Sequence, residues 1–352
     1  MSLSIEGSPE NLEGTLEALR GFALGFVVHA LIETGVLDAL ECEQSAVELR
    51  SKLRCNDEAV AALLHYLQNE RIVTRSAVNS FALTDRGRHL NRYRGWFRLF
   101  VGGYESVLRS LPDVLRHGVA DDRNIAAVAQ GSGEISRFDA APLVARLIEN
   151  SGRECRSILD LGCGNGQLLC QLLERFPDAL GIAADPAVAA VAAARQTVSA
   201  RSLENRVQLF EGDCFDVPEP RRTPTFILAA FTLQEILGQS GENTLVDRMV
   251  STSIRWPSAQ WLVVEVDHQP ESDVMRTPYG LGYYNPYFLL HPLTGQTLLP
   301  CREWIRLFQR VGLTVESILT ADPAIDPTGL EVGFLLQRSS RLTVLDGDSP
   351  SR

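Results

Sequence analysis

The sequence predicts an α/β fold, in which a doubly wound sheet with helices on both faces follows a smaller helical domain. Apolar strand-like runs alternate with helix-compatible segments from residue 157 onward, as in a parallel sheet covered by helices. The first run, Ser157–Leu161, leads directly into Gly162, Gly164 and Gly166. This glycine spacing allows a tight strand-to-helix turn and lets a nucleotide approach the backbone closely. The region before the sheet is helix-compatible almost without interruption over residues 12–40.

The composition is that of an ordinary globular protein. The 352 residues are 45% hydrophobic and 22% charged, which is enough chain for two domains. A net charge of −11 argues against general affinity for phosphate backbones or anionic lipid, so neither nucleic acid nor a membrane is expected as a partner. No apolar run reaches the ~20 residues that cross a bilayer, and the first residues lack the features of a signal peptide. Seven cysteines without a C-x-x-C pair predict reduced thiols and a cytoplasmic location.

The N-terminal region predicts a winged-helix domain. The helix predicted over residues 12–40 is apolar on more than one face, as is a helix that is central to a core or shared with a second subunit. A capping-box pattern at residues 45–48 opens a short helix, and a second helix follows Asn56. Strand-like segments at residues 72–75 and 81–84 then resemble the hairpin of a wing. We therefore expect a homodimer that forms through this domain.

A winged helix is also a DNA-binding motif, but the charges here disagree with that function. The second helix of the motif offers Asp57, Glu58 and Glu70 against Arg71. Carboxylates repel the phosphate backbone, so DNA binding is not expected.

The ends of three predicted strands carry the features of a nucleotide-cofactor site. Asp160 lies inside the first strand, just before the glycines, and a second strand ends in Asp185, where a carboxylate can accept both ribose hydroxyls. Asp213 follows a third strand. The D-x-G-x-G-x-G pattern resembles motif I of the class I S-adenosylmethionine (SAM) methyltransferases, in which the third acid faces the adenine amino group. The resemblance implies a SAM site formed by Asp160, Gly162, Gly164, Gly166, Asp185, Asp213 and Cys214.

The combination of apolar N-terminal helices, a winged helix and motif I resembles small-molecule methyltransferases of the plant and bacterial O-methyltransferase type. In that family the N-terminal domain dimerises and roofs the active site. The resemblance implies a winged-helix dimerisation domain over residues 1–95 and connecting helices above the active site over residues 96–150. It also implies a Rossmann-like SAM-binding domain over residues 151–338, and the polar segment 339–352 is expected to be a disordered tail.

Polar residues follow the fourth and fifth strands at the edge where ligands bind in parallel sheets. The fourth strand leads into Gln234 and Glu235, where O-methyltransferases of this architecture usually carry a His-Asp pair. Glutamine cannot act as a base at neutral pH, so phenol O-methylation loses its usual catalyst. The fifth strand leads into His268, and His291 ends a glycine- and tyrosine-rich insertion, residues 277–291.

Glu235, His268 and His291 are expected to converge over the methyl group of the cofactor. Two imidazoles and a carboxylate are the ligand set of a mononuclear zinc or non-haem iron site. Two alternatives stay open: all three are solvated loop residues, or His268 acts alone as a base.

With this ligand set, the chain resembles the α-keto acid C-methyltransferases of peptide-antibiotic and unusual amino-acid biosynthesis, which act on 2-ketoarginine, phenylpyruvate or branched-chain keto acids. The resemblance is carried by motif I, by residues 102–105 before Leu111 and Pro112, and by His291 upstream of Trp304. It implies methylation of the β-carbon of a keto acid through an enolate stabilised by zinc or iron. The implied catalytic residues are Gln234, Glu235, His268 and His291.

The choice of substrate depends on side chains near the insertion. Glu105 and Asp273 are acids that suit a guanidinium group, which favours 2-ketoarginine, whereas the tyrosines of the insertion also suit an aromatic or aliphatic keto acid. The alternative functions are a small-molecule O-methyltransferase and a non-catalytic SAM-binding regulator.

Overall fold

The computed structural model describes residues 9–54, 56–76, 80–118, 120 and 122–339. The chain forms two compact units: an N-terminal unit of Met1–Glu105 and Gln130–Glu134, and a sheet unit of Ser106–Ala129 and Ile135–Arg352. Of the tail predicted over residues 339–352, all but Ser339 lies outside the described residues, as does the start of the chain.

The N-terminal unit contains the predicted winged helix. Its strands pair antiparallel in the order β1-β3-β2, and residues 77–79, between the two strands of the wing, lie outside the described residues. The predicted capping box is present, since the Ser45 side chain accepts from Glu48 N while the Glu48 carboxylate accepts from Ser45 N at 2.7 Å. The elements are α1 (Pro9–Glu33), α2 (Val36–Ala39), β1 (Gln44–Ser45), α3 (Ala46–Leu53), α4 (Asp57–Asn69), β2 (Val73–Arg75), β3 (Ser80–Leu83), α5 (Asp85–Arg92), α6 (Arg94–Phe97), a π-helical turn (Arg98–Gly102) and α7 (Gly103–Arg109).

Helix α1 presents two different surfaces along its length. Near its C-terminal end, Val28, Leu31 and Ile32 are buried in the core of the unit, whereas large apolar side chains nearer its start are exposed. By length and composition alone, Leu12–Glu33 is apolar enough to cross a membrane. The expectation that no apolar stretch has this length was wrong, because it counted only runs without a charge. The exposed apolar side chains of α1 are Leu12, Leu16, Leu19, Phe22 and Phe26.

The remaining elements include the seven strands of the large sheet. They are α8 (Leu111–His117), α9 (Ile125–Ser136), α10 (Ala140–Asn150), β4 (Ser157–Leu161), α11 (Gln167–Arg175), β5 (Leu180–Asp185), α12 (Val188–Ala200), β6 (Val207–Glu211), β7 (Phe226–Ala230), α13 (Leu233–Arg255), β8 (Gln260–Val266), a 3-10 turn (Asp273–Arg276), a π-helical turn (Gly280–Tyr284), α14 (Asn285–Leu293), α15 (Cys301–Val311), β9 (Leu313–Thr320) and β10 (Glu331–Arg338). One of them, α9, has its residues Gln130–Glu134 in the N-terminal unit.

The strand order is β6-β5-β4-β7-β8-β10-β9. Strands β4 to β8 are parallel to one another, and β10 pairs antiparallel with both β8 and β9. The strand order reverses between β4 and β7, which creates a crevice beyond the carboxyl ends of these two strands. The predicted Rossmann-like doubly wound fold is confirmed, with a mixed rather than wholly parallel sheet.

The two faces of the sheet form separate hydrophobic cores because alternate strand residues point to opposite faces. Leu159 and Ile227 contribute to the core beneath α13 and α15, whereas Ile158 and Phe226 contribute to the core beneath α10, α11 and α12. With both faces covered, the carboxyl edge of the parallel strands is the part of the sheet left for a ligand.

Candidate active site

The loop after β4 depends on glycine at its first position. Gly162 has a φ of +74°, and a Cβ there would lie 2.7 Å from two side-chain atoms of Thr232, at the start of α13. Gly162 N and Cys163 N both donate to Ala184 O of β5, at 2.8 and 3.1 Å. The loop is therefore fixed by backbone hydrogen bonds to β5 and by a close contact with Thr232, which follows β7.

Asp185, at the end of β5, connects two backbone segments of the predicted SAM site. Its carboxylate accepts from Gly164 N and from Ala187 N, each at 2.9 Å. Each carboxylate oxygen has a further lone pair, so both ribose hydroxyls have an acceptor here. Asp160 lies beneath the same loop, where burial, and secondarily the charge of Asp185, raises its pKa to about 7.

Asp213 and Cys214 follow β6 on the predicted adenine side. Asp213 accepts from Phe215 N at 3.0 Å and pairs with Arg248 at 3.2 Å. Cys214 is buried, and burial raises the pKa of its thiol to about 12, so this residue contributes shape rather than a nucleophile.

The first turn of α13 is held by a buried carboxyl group of β8. Leu233 N and Gln234 N donate to Glu265 Oε1 at 3.0 and 3.3 Å, and burial raises the pKa of Glu265 to about 8. These bonds to the helix N-terminus fix the direction in which Gln234 leaves the backbone.

The Gln234 side chain is buried and takes part in a network with two residues of the later chain. Its Nε2 donates to Tyr287 OH at 2.9 Å and to Gln296 Oε1 at 3.3 Å. The Gln296 Nε2 is also buried and has no hydrogen-bond partner among the described residues. An unpaired buried donor costs about 1–3 kcal/mol and calls for an explanation. A ligand oxygen would satisfy it.

His291 is buried beside this network as a neutral imidazole. Its Nδ1 lies 2.9 Å from Tyr287 O, and its ring stacks on the Tyr287 ring with centroids 3.4 Å apart. A carbonyl can only accept, so Nδ1 carries the proton and Nε2 is the basic nitrogen. Burial lowers the pKa of His291 to about 3.

Glu235 and His268 lie in less buried surroundings. Arg123 Nη2 donates to Glu235 Oε1 at 2.6 Å, and Gln239 Nε2 donates to the same oxygen at 3.2 Å. His268 is half-buried, and its ring meets the ring of Phe288 edge-on at 4.8 Å. Burial also lowers the pKa of His268 below its usual value, so its imidazole is neutral at pH 7.

These arrangements do not match the predicted metal site. In the parts of the chain that the structure describes, no group of three His, Cys, Asp or Glu side chains is placed to hold a metal ion. The predicted convergence of Glu235, His268 and His291 into one ligand set is thus not seen. The physical reasons are that Glu235 is paired with Arg123 and that the His291 ring is turned onto Tyr287.

A cluster of buried carboxyl groups lies farther along the same edge, where β10 begins beside the end of β8. Tyr284 OH donates to Asp326 Oδ2 at 2.7 Å, and Glu331 N donates to the same oxygen at 3.1 Å. The side chains of Glu331 and Asp139, the N-cap of α10, share a hydrogen bond. Burial raises the pKa of both groups, so Glu331 keeps its proton and donates it to Asp139.

The sequence prediction missed Arg123 and Gln296. Arg123 stands 112 residues before Glu235, and no local pattern marks it. Of the two acids expected to hold a guanidinium, Glu105 belongs to the N-terminal unit, and Asp273 is exposed and already paired with Arg276.

Comparisons with known proteins indicate a methyltransferase, as does the glycine loop after β4. A family model described as a methyltransferase domain matches residues 158–251. The 2-ketoarginine methyltransferase of Streptomyces arginensis is 38% identical over 336 residues, which cover 95% of this chain and 98% of that protein. The indolepyruvate C-methyltransferase of Streptomyces griseus is 30% identical over 202 residues, or 55% of this chain and 57% of that protein.

A solved structure supports the fold across both units. Human N-acetylserotonin methyltransferase, in complex with SAM, superposes with a TM-score of 0.70 at 16% identity and covers 96% of this chain and 100% of that one. Since the 2-ketoarginine methyltransferase matches nearly the whole chain, the protein belongs to the class I SAM-dependent methyltransferases and resembles their α-keto acid C-methyltransferases.

Proposed function

We propose that the protein transfers the methyl group of SAM to the β-carbon of an α-keto acid, with 2-ketoarginine as the first choice. The observation that carries this proposal is the 38% identity to the 2-ketoarginine methyltransferase along 95% of the chain. Gln234 gives independent support, because an amide stands where O-methyltransferases of this architecture usually carry a histidine base. The β-methyl keto acid would serve unusual amino-acid or peptide natural-product biosynthesis.

The reaction requires a base and a methyl acceptor carbon in line with the sulfonium. We propose His268 as the base, since its neutral imidazole at the end of β8 can accept a proton at pH 7. It removes a β-proton, and the C–H electron pair forms the enolate, with its negative charge on the keto oxygen. The enolate carbon then attacks the methyl group, the S–CH₃ bond breaks, and S-adenosylhomocysteine leaves. His268 passes its proton to solvent.

Zinc or iron is a separate prediction to which the described side chains give no support. For Glu235 and His291 to become ligands, Arg123 would have to release Glu235 and the His291 ring would have to turn. Elemental analysis of the purified protein, followed by turnover assays after exhaustive chelation, measures the metal requirement directly. No step of the proposed reaction is assigned to a metal.

We also propose that the protein is a homodimer joined through the exposed apolar face of α1. Sedimentation should give a dimer at micromolar concentration, and Phe22→Asp should shift it toward monomer. Leu115→Asp is the matched control, since Leu115 is a single exposed leucine on α8. A monomeric wild-type protein would contradict the proposal. A cytoplasmic location stays a prediction from the sequence.

The methyl acceptor is tested with a panel of substrates. The protein and SAM are incubated with 2-ketoarginine, indolepyruvate, phenylpyruvate, a branched-chain keto acid and a small phenol, and products are identified by mass spectrometry. We expect a β-methylated keto acid, together with exchange of β-protons in deuterated water when S-adenosylhomocysteine replaces SAM. A methyl ether from the phenol without β-exchange would favour O-methylation, and SAM binding without any product would favour a regulator.

A further inference from the structure

The protein carries an excess of acidic side chains, although the proposed substrate is an anion. The chain carries a net charge of −11, and carboxyl groups lie within or just after the neighbouring strands β4, β5 and β6, at Asp160, Asp185 and Asp213. A keto-acid carboxylate therefore needs a cation at this edge of the sheet. The sequence predicted a divalent metal ion here, to which the described side chains give no support, and it named no cationic side chain.

Arg123 has the position and chemistry that this role requires. Its side chain is only 11% exposed, and its Nη2 contacts Glu235 Oε1. It also lies close enough to the ring of His291 to disfavour a second positive charge there. Arg248, a second cation at this edge, is paired with Asp213 beyond β6, on the predicted adenine side. Arg123 is thus a cation in contact with the residue that follows Gln234.

Glu235, the partner of Arg123, is more exposed to solvent than the arginine is. The Glu235 side chain is 38% exposed and also accepts from Gln239, so it can leave the arginine and still have water and one hydrogen bond. The buried guanidinium has less water to replace the carboxylate it would lose. It therefore requires another anion when Glu235 moves away.

A second observation, at the neighbouring residue of α13, also points to a bound ligand. Gln296 Nε2 is buried beside Gln234 with no acceptor in the part of the chain that the structure describes. A donor of this kind and a guanidinium together match the two acceptor groups of a keto acid, which are its carboxylate and its keto oxygen.

We propose that Arg123 binds the carboxylate of the keto acid in exchange for Glu235, and that Gln296 Nε2 donates to the keto oxygen. This inference rests on the proposed function, because it takes the substrate to be an α-keto acid. Glu235 is the resting partner of Arg123 and competes with the substrate for it. The planar guanidinium can bind a carboxylate with two parallel hydrogen bonds, whereas an ammonium group cannot.

The first test is Arg123→Gln, which removes the cation and keeps the length and polarity of the side chain. We expect KM for the keto acid to rise roughly 100-fold, since two charge-assisted hydrogen bonds are lost, while the Kd for SAM stays unchanged. Arg123→Lys keeps the charge without the fork and should give an intermediate KM. Arg276→Gln is the matched control because Arg276 is exposed and paired with Asp273, and its KM should equal that of the wild type.

The second test separates substrate binding from a purely structural ion pair. The wild type should prefer a keto acid to the corresponding keto amide, and Arg123→Gln should lose most of this preference. Glu235→Gln removes the competing carboxylate and should lower KM for the keto acid by about 3- to 10-fold. A structural pair predicts instead that Arg123→Gln and Glu235→Gln lower thermal stability alike and leave the acid-to-amide preference intact.

The outcomes distinguish this inference from the proposed function. If the wild type methylates no keto acid, the proposed function fails, and this inference fails with it. If the wild type methylates a keto acid while Arg123→Gln keeps its KM and its acid-to-amide preference, only the inference is overturned. If circular dichroism shows that Arg123→Gln folds poorly, the other two variants test the inference. KM for the keto acid should rise in Arg123→Lys and fall in Glu235→Gln, and any other result would overturn the inference.

Discussion

The two halves of the ligand-binding edge are built in different ways. At the ends of β4 and β5, the SAM half is formed by backbone amides, as in the bonds of Asp185 to Gly164 N and Ala187 N. At the ends of β7 and β8, the acceptor half is formed by side chains that meet from distant parts of the chain. Gln234 lies 53 residues from Tyr287, and Arg123 lies 112 residues from Glu235.

This difference distinguishes the predicted cofactor site from the proposed substrate site. The SAM half is fixed before the ligand arrives, because its donors and acceptors belong to strand ends and a glycine turn. In the acceptor half, most charged and polar side chains satisfy one another, and the exceptions beside Gln234 among the described residues are Gln296 Nε2 and Glu265 Oε2. A methyl acceptor would therefore bind by replacing contacts within the protein, and substitutions in the two halves should have different effects.

The largest effect is expected in the SAM half. Asp185→Ala removes the acceptor for the ribose hydroxyls and also the two backbone bonds that hold the loop. The Kd for SAM should rise by roughly 1,000-fold, because charge-assisted hydrogen bonds contribute about 1.5–3 kcal/mol each. Isothermal titration calorimetry measures the change, with the exposed Asp273→Ala as control. Unchanged affinity would show that Asp185 does not bind the cofactor.

A smaller effect, confined to the acceptor half, is expected for the proposed base. His268→Ala should lower kcat by about 100-fold, since general-base catalysis contributes ~10²–10⁴-fold, and should leave the Kd for SAM unchanged. In the wild type, kcat/KM should fall at acid pH as the imidazole is protonated. The midpoint should lie below the usual histidine pKa because burial lowers it. A wild-type pH profile without an acid limb would assign the base elsewhere.

Gln234→Ala should have a more moderate effect, of about 10-fold in kcat/KM. It removes the hydrogen bonds from the Gln234 side chain to Tyr287 OH and to Gln296 Oε1, so the acceptor half loses order while the glycine loop is untouched. Steady-state kinetics with the preferred keto acid measures the effect on the acceptor half, and calorimetry with SAM measures any effect on the glycine loop. Equal losses in acceptor turnover and SAM binding would mean that the two halves are not independent.

The smallest effect is a pH dependence of stability from the buried carboxyl cluster. Asp139 and Glu331 lie next to each other and close to a third acid, Asp326. The neighbouring rings are those of Tyr279, Tyr283 and Tyr284. Their pKa values are raised on folding, so the folded protein binds more protons and loses stability as pH rises above the unfolded values near ~4. Tm should fall by a few degrees between pH 6 and pH 8.5. The slope should flatten in Glu331→Gln, and an identical slope in that variant would contradict this origin.

The sequence was informative where function depends on local backbone geometry. The glycine turn, the acid at the end of β5 and the capping box at Ser45 each occupy a few consecutive residues, and each was found as predicted. The positions of His268 after β8 and His291 in the insertion were also foreseeable. The direction of each ring was not, because it is set by packing against Phe288 and Tyr287.

The contacts among the side chains of the acceptor half were not predicted, for the same physical reason. Arg123 precedes α9 in a stretch that has no periodicity, and its partner is chosen by the fold. Glu235, His268 and His291 were predicted to form a metal site because all three were expected at one edge of the sheet. A position at that edge does not determine the direction in which a side chain points. Pairing with Arg123 and stacking on Tyr287 decided the outcome for two of them.

The contact between Gly162 and Thr232 has a consequence for how such enzymes diverge. Thr232 Oγ1 donates to Leu161 O at 3.0 Å, and its side chain fills the space that a Cβ at position 162 would need. The methyl-donor loop and the segment that carries Gln234 therefore cannot mutate independently at this point. Across homologues, positions 162 and 232 should covary in size, and a change of acceptor chemistry at position 234 should be tolerated more readily than a larger residue at position 162.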